Sequence, residues 1–222
     1  MRISIVLAAC LALAASATAQ SVSECYNGIG IYLEPAPGNP AGCTSYTGPV
    51  DPVAAYVVLL NPYNENTGAP ITTLGGYQFR LEFSPQVPVQ IELPPTTVDY
   101  GATPDFLIGS NIPIVNGQAL LLTLEIRPFT EEPLVCFVTP LHQSSGPLPP
   151  TEIFVADADD DFSLSRGTPV SYSFEAPVFC MFADCEPLPE GSGPGAETGV
   201  WGDCWTVSEV TIPGIVGQPV LH

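Results

Sequence analysis

Gly76-Tyr77-Gln78-Phe79-Arg80-Leu81-Glu82-Phe83 alternates apolar and polar residues without a break. Successive side chains of a β-strand point to opposite faces. Tyr77, Phe79, Leu81 and Phe83 therefore share a dry face, and Gln78, Arg80, Glu82 and Ser84 a wet one. The same period returns along the chain. Val87, Val89, Ile91 and Leu93 alternate with Gln90 and Glu92; Leu120, Leu122, Leu124 and Ile126 with Thr123, Glu125 and Arg127; Val170, Tyr172 and Phe174 with Ser171, Ser173 and Glu175. Val53 to Leu60 and Leu134 to Val138 are apolar throughout, as strands covered on both faces are. Ile29 to Leu33, Phe106 to Val115 and Ile153 to Val155 bring the strand candidates to about nine. No segment carries a convincing helical stripe.

Turn residues separate these runs: Asn61-Pro62, Asn66-Thr67-Gly68, Gly75-Gly76, Pro94-Pro95, Asn116-Gly117 and Pro149-Pro150. Asn116-Gly117 fits a two-residue hairpin turn, where both central residues need positive φ. With 26 prolines and 20 glycines in 222 residues, many short strands joined by tight turns are expected rather than helices. The predicted fold is all-β, an antiparallel two-sheet sandwich or jelly roll.

The first 19 residues have the pattern of a secretory leader. Arg2 supplies the positive end, Ile3 to Ala15 the apolar stretch, and Ala17-Thr18-Ala19 the small-residue cleavage site. Leu7-Ala8-Ala9-Cys10 offers a rival, a lipoprotein acylated at Cys10, but the apolar stretch before it is short and continues beyond it. The domain organisation read from the chain is a leader over 1–19, a β-sandwich over 20–185, a linker over 186–198 rich in Pro, Gly and Glu, and a tail over 199–222. That tail regains Trp201, Trp205 and several aliphatics and could dock as an extra strand. The expected location is extracellular or at the cell surface, with no membrane insertion after leader cleavage.

Twenty-three acids stand against four basic residues, all arginine, for a formal charge of −19. Such a surface repels nucleic-acid phosphates and anionic membranes and attracts cations. Beyond Cys10 the cysteines are Cys25, Cys43, Cys136, Cys180, Cys185 and Cys204, an even set that in an exported chain points to disulfides. Sequence does not select the pairing. Cys25 with Cys43, flanking one Pro/Gly-rich loop, is the simplest local choice. A zinc site is the competing use, disfavoured by the lack of a C-x₂-C pair and the scarcity of histidine.

Ala54-Ala55-Tyr56-Val57-Val58-Leu59-Leu60-Asn61, then Gly76 to Phe83, then Gly117-Gln118-Ala119-Leu120-Leu121-Leu122-Thr123-Leu124, follow in an order that resembles the cohesin-like and carbohydrate-binding-module-like β-sandwiches of secreted bacterial proteins. The resemblance spans Val53 to Phe174. It implies a cohesin-like sandwich that binds an extracellular protein or a polysaccharide. The chain departs from the pattern in carrying one domain, with no dockerin duplication after it. The strand Ile29-Gly30-Ile31-Tyr32 also resembles the first strand of uncharacterised secreted bacterial proteins.

Asp157, Asp159 and Asp161 have the one-three-five spacing with which a calcium loop aims carboxylates at one ion, so a structural calcium is the one cofactor considered. Phe162 and Thr168 stand where an EF-type loop needs Gly and Glu, and an acidic hairpin turn is the plainer reading. Tyr26, Tyr46, Tyr63, Tyr100, Trp201 and Trp205 lie off the obvious dry faces and are candidates for sugar stacking or protein anchoring. No catalytic set stands out. His142 and His222 are the only imidazoles, no G-x-S-x-G occurs, and Glu82, Glu92, Glu125, Glu131 and Glu132 occupy wet-face or turn positions. The expected function is a non-enzymatic interaction or structural module. Carbohydrate binding through loop aromatics is the alternative, and a secreted glycoside hydrolase the third reading.

Overall fold

In the computed structural model the residues described are 23–24, 26–37, 42–142, 152–171, 173–185 and 205–206. The leader, Cys10, Cys25, the linker, Cys204, His222 and the tail apart from Trp205 and Thr206 lie outside them. The chain divides into two units, Ser23–Trp205 and a second made of Met1–Val22 with Thr206–His222. Only Thr206 of the second is described.

The described residues form strands, turns and bends, with no helix among them. In chain order the strands are β1 (Ser23–Glu24), β2 (Gly28–Tyr32), β3 (Thr44–Tyr46), β4 (Val53–Leu60), β5 (Tyr63–Asn64), β6 (Ala69–Pro70), β7 (Thr73–Ser84) and β8 (Val89–Glu92). They continue as β9 (Thr97–Asp99), β10 (Asp105–Pro113), β11 (Gln118–Ile126), β12 (Leu134–Thr139), β13 (Ile153–Asp157), β14 (Ser163–Pro169), β15 (Phe179–Met181) and β16 (Trp205–Thr206). Twelve strands make one sheet, ordered β3-β15-β12-β7-β13-β14-β2-β4-β11-β8, with β10 also on β7 and β9 on β10. Pairing is antiparallel except for β14 with β2 and β15 with β3, so the sheet is mixed. β5 and β6 form a small separate hairpin.

One apolar core joins β2, β4, β7, β10, β11, β12 and β13. Phe79, Phe106, Ile29, Leu59, Leu122 and Leu124 are among its fully buried side chains. Each contributes on the order of 2 kcal/mol by leaving water. Tyr77 sits in this core and its hydroxyl donates to the Leu121 carbonyl of β11 at 2.7 Å. β7 and β11 are not neighbours in the sheet, so this bond spans the interior.

Several expectations change on contact with the structure. Gly75-Gly76 is not a turn; both glycines lie inside β7. Gln78 is not wet. It is 1% exposed, because the first half of β7 is covered on both faces. The alternation in β11 shifts phase at a bulge between Leu120 and Leu122, so Leu121 is buried and Leu120 only half-buried. Val170 to Phe174 is not a strand in its described residues: β14 ends at Pro169 and the chain turns, with the Ser171 hydroxyl donating to the Ala176 carbonyl at 2.9 Å. Asn116 and Gly117 do take positive φ, 52° and 72°, and Val115 and Gln118 bridge across them. The two strands they join then part, β10 to β7 and β11 to β4.

Candidate functional site

The outer face of β7 follows from register. Gly76 is flanked by Gly109 of β10 and Ala156 of β13, and the row continues to Val98 of β9 and Leu164 of β14. One pleat further, Gln78 lies between Leu107 and Phe154. Two glycines and an alanine in one row leave a trough where larger residues would make a ridge. Leu107, Phe154, Leu164 and Tyr100 stand around it, and the resulting groove has a volume of about 270 Å³. A Cβ added to Gly76 would come within 2.7 Å of the Ile108 carbonyl oxygen, so close backbone approach keeps this position free of a side chain. The Phe162 ring lies over Gly75, where a Cβ would meet it at 2.6 Å.

The groove is apolar and its rim is exposed. Val98 (56%), Tyr100 (71%) and Leu164 (39%) are three of the seven large apolar side chains exposed among the described residues, and all three belong to this face; Phe162, over Gly75, lies on the opposite side of β7. Single exposed apolar residues are ordinary, whereas a contiguous group around a concavity marks an interaction surface. One acid, Asp99, adjoins the groove residue Tyr100 in the chain, whereas Asp159 and Asp160 turn towards Thr72 and Asn64. Within the lining, Gln78 Nε2 donates to the Glu152 carbonyl at 3.3 Å, while its buried Oε1 has no hydrogen-bond partner among the described residues.

Of the aromatics expected to bind a ligand, Tyr26 and Tyr63 do meet. Their rings stack with centroids 4.4 Å apart. With Asn61, Pro62, Pro70, Ile71, Thr72, Ile114 and Gly117 they line a second concavity of about 410 Å³, of mixed polar and apolar character. Tyr46 is elsewhere, edge-on to Phe182 with its hydroxyl donating to the Pro49 carbonyl. Tyr100 is on the groove. Trp201 lies outside the described residues, and of Trp205 only its place in β16 is described. Among the described residues the four tyrosines thus stand in three separate places.

The acidic turn between β13 and β14 is organised around an asparagine. Asn64 Nδ2 donates to Asp157 Oδ2 at 2.8 Å, to Asp160 Oδ2 at 3.0 Å and to Ser163 Oγ at 2.8 Å. Asp157 Oδ1 accepts from the Asp159 N–H, and Asp159 Oδ2 from the Thr72 hydroxyl at 2.6 Å. The Asp160 carboxyl is held below the usual range by the Ser163 hydroxyl and then by the Asn64 amide. Asp157, Asp159 and Asp161 are not brought together as a trio of ligand oxygens within 4.8 Å of one another. Sequence reasoning missed Asn64, because its partners lie about ninety residues away in the chain.

The cysteines pair differently from the local expectation. Cys43 bonds to Cys185, not to Cys25, because β3 runs beside β15 and carries Cys43 to the end of the strand pair. Cys180 Sγ lies 3.5 Å from Cys43 Sγ, and these three sulfurs are the only group of metal-type ligands this close among the described residues. Cys136 is a buried free thiol, its pKa pushed well up by burial. Of the acids considered for hydrolysis, Glu82 pairs with Arg80 and Glu125 with Arg127, while Glu92, Glu131 and Glu132 are exposed. His142 is exposed and its N–H donates to Asp105 Oδ1 at 3.2 Å.

Compared with family models, curated proteins and solved structures, the chain matches none. The cohesin-like resemblance rests on its sequence motifs alone.

Proposed function

We propose that this chain is a secreted or cell-surface, non-enzymatic interaction module that docks a protein segment in the groove over Gly76, Gly109 and Ala156. The scaffold is read as a two-sheet sandwich of jelly-roll or cohesin-like build, with β2, β4, β11 and β8 facing the layer centred on β7. The interior bond from Tyr77 to the Leu121 carbonyl supports that arrangement. The observation that carries the functional reading is the groove itself: an apolar floor kept open by glycine, with exposed Val98, Tyr100 and Leu164 on or beside it.

The partner's chemistry follows from the margin. A chain of charge −19 opposes a second copy of itself and favours a partner with basic residues. Asp99, next to Tyr100, would meet a Lys or Arg flanking an apolar centre, and the net charge favours further basic residues. The test is a peptide array with a fixed apolar centre and either basic or acidic flanks, probed with the mature protein and with a Tyr100→Ala, Leu164→Glu variant. Saturable binding to basic-flanked peptides that the variant loses supports the reading. Equal binding by both proteins refutes it.

Carbohydrate binding is a second reading, favoured by the stacked Tyr26–Tyr63 pair beside Asn61 and Thr72. Retention on a polysaccharide panel that is lost in Tyr63→Ala and kept in the groove variant would select it. Running the panel in calcium and in chelator would also test a structural calcium at the Asp157–Asp161 turn.

A further inference from the structure

Cys180 is a free thiol at 1% exposure, and its sulfur touches a disulfide. The register explains why. β15 lies between β12 and β3, with Val135 opposite Cys180 on one side and Ser45 on the other. Cys136 is register partner to Phe179, one residue away from Cys180, so it faces the other side of the sheet. Among the described residues the sulfurs gathered around Cys180 are therefore those of Cys43 and Cys185.

We propose that Cys43, Cys180 and Cys185 form a thiol–disulfide exchange site that presents Cys185 as a reactive thiol towards disulfide-bearing partners. The Cys180 thiolate attacks Cys43 Sγ; the Cys43–Cys180 bond forms, the Cys43–Cys185 bond breaks, and Cys185 leaves as thiolate and takes up the proton Cys180 gave. One disulfide and one thiol stand on each side, so no oxidant or reductant is consumed. The attacking sulfur is already at 3.5 Å, van der Waals contact; because all three sulfurs lie within 4.8 Å of one another it stands off the S–S axis, and side-chain rotation at Cys43 or Cys180 must bring it into line before it attacks. The Thr44 carbonyl, 3.4 Å from Cys185 Sγ, can accept a hydrogen bond from the released thiol.

The two isomers differ in what they expose. In one, the free thiol is Cys180, buried out of reach of an external partner and with its pKa raised by burial, so exchange is favoured by alkaline pH. In the other it is Cys185, half-buried at the margin where the strand region ends and the Pro/Gly-rich stretch begins. A partner disulfide attacked by Cys185 would become a mixed disulfide, with the partner's second sulfur leaving as thiolate.

The test uses the folded full exported chain, incubated with 5,5′-dithiobis(2-nitrobenzoate) in mildly alkaline buffer, quenched in acid and cut before aspartate. This places Cys180 in the peptide Asp161 to Ala183 and Cys185 in the peptide Asp184 to Gly202. The expected result is the adduct on Cys185, with Cys43 now linked to Cys180. An unlabelled Cys185, with Cys43 linked to Cys185 alone, overturns the proposal. Cys180→Ser must abolish labelling of Cys185, and persistence of the adduct in that variant also overturns it. In Cys185→Ser, Cys43 is expected to pair with Cys180; free thiols at both positions in the folded variant count against the exchange.

Discussion

Asn64→Ala removes a side chain that is 0% exposed and uses both of its polar atoms. Nδ2 binds two carboxylates and a hydroxyl across the β13–β14 turn. Oδ1 accepts from the N–H groups of Asn66 at 2.9 Å and Thr67 at 3.2 Å, which shapes the loop between β5 and β6. The magnitude rests on Asp157, itself 6% exposed. Losing a charged hydrogen bond at a buried carboxylate costs about 2–3 kcal/mol, and the two loop N–H groups add about 1 kcal/mol. The bond to Asp160 adds little beside these, since water largely replaces it at that solvent-accessible carboxylate. The expected loss is about 3 kcal/mol, seen as a lower urea midpoint at unchanged slope and a melting temperature lower by about 10 °C. Ser163→Ala keeps the asparagine and should cost about 1 kcal/mol. A loss below about 1 kcal/mol for Asn64→Ala would refute the reasoning, because the turn would then be held by something other than this amide.

Gly76→Ala should destabilise by about 2 kcal/mol, since the new Cβ meets the Ile108 carbonyl, whereas Gly109→Ala should stay within about 0.5 kcal/mol because only the exposed Tyr100 ring must shift; urea midpoints of the two compare them directly. Gln78→Met replaces a buried amide whose Oε1 lacks a described partner, and should be neutral or stabilising by about 1 kcal/mol in the same assay; a loss above about 2 kcal/mol would mean that Oε1 is satisfied. Asp160 has a folded pKa below its unfolded one, so its contribution is present above the ordinary carboxylate range and is lost as pH falls through the folded value. Acid titration of the urea midpoint should therefore show a smaller drop in Ser163→Ala than in the wild type.

Local periodicity made β7, β8 and β11 legible, because a strand that buries one face writes that face every second residue, while β4 was legible as a continuous apolar run. It failed where a second layer covers the other side. Gln78 looks wet by alternation but lies between Leu107 and Phe154, contributed by strands distant in sequence. It failed again at β3 and β9, three residues each, too short to show a period. Gly75-Gly76 was misread for a related reason. A glycine pair marks either a turn or a close approach of backbones, and the sequence of one strand does not say which strands lie beside it. The stacked Tyr26 and Tyr63 were legible as residues but not as a pair, since their meeting depends on the turn at Asn61, where φ is 46°.

The groove and the acidic turn share one strand pair, which would link the stability of the turn to the proposed docking. β13 and β14 supply Phe154, Ala156 and Leu164 to the apolar lining, and the turn joining them carries Phe162 over Gly75. Asn64 fixes that turn from the opposite side through Asp157, Asp160 and Ser163. An exposed apolar face costs solubility, and a run of acids costs self-repulsion. The asparagine amide and the Thr72 hydroxyl offset the repulsion among the acids. A partner with basic flanks, as proposed, would cover Tyr100 and Leu164 and meet Asp99, while the acidic turn would act on the groove by holding β13 and β14 in place.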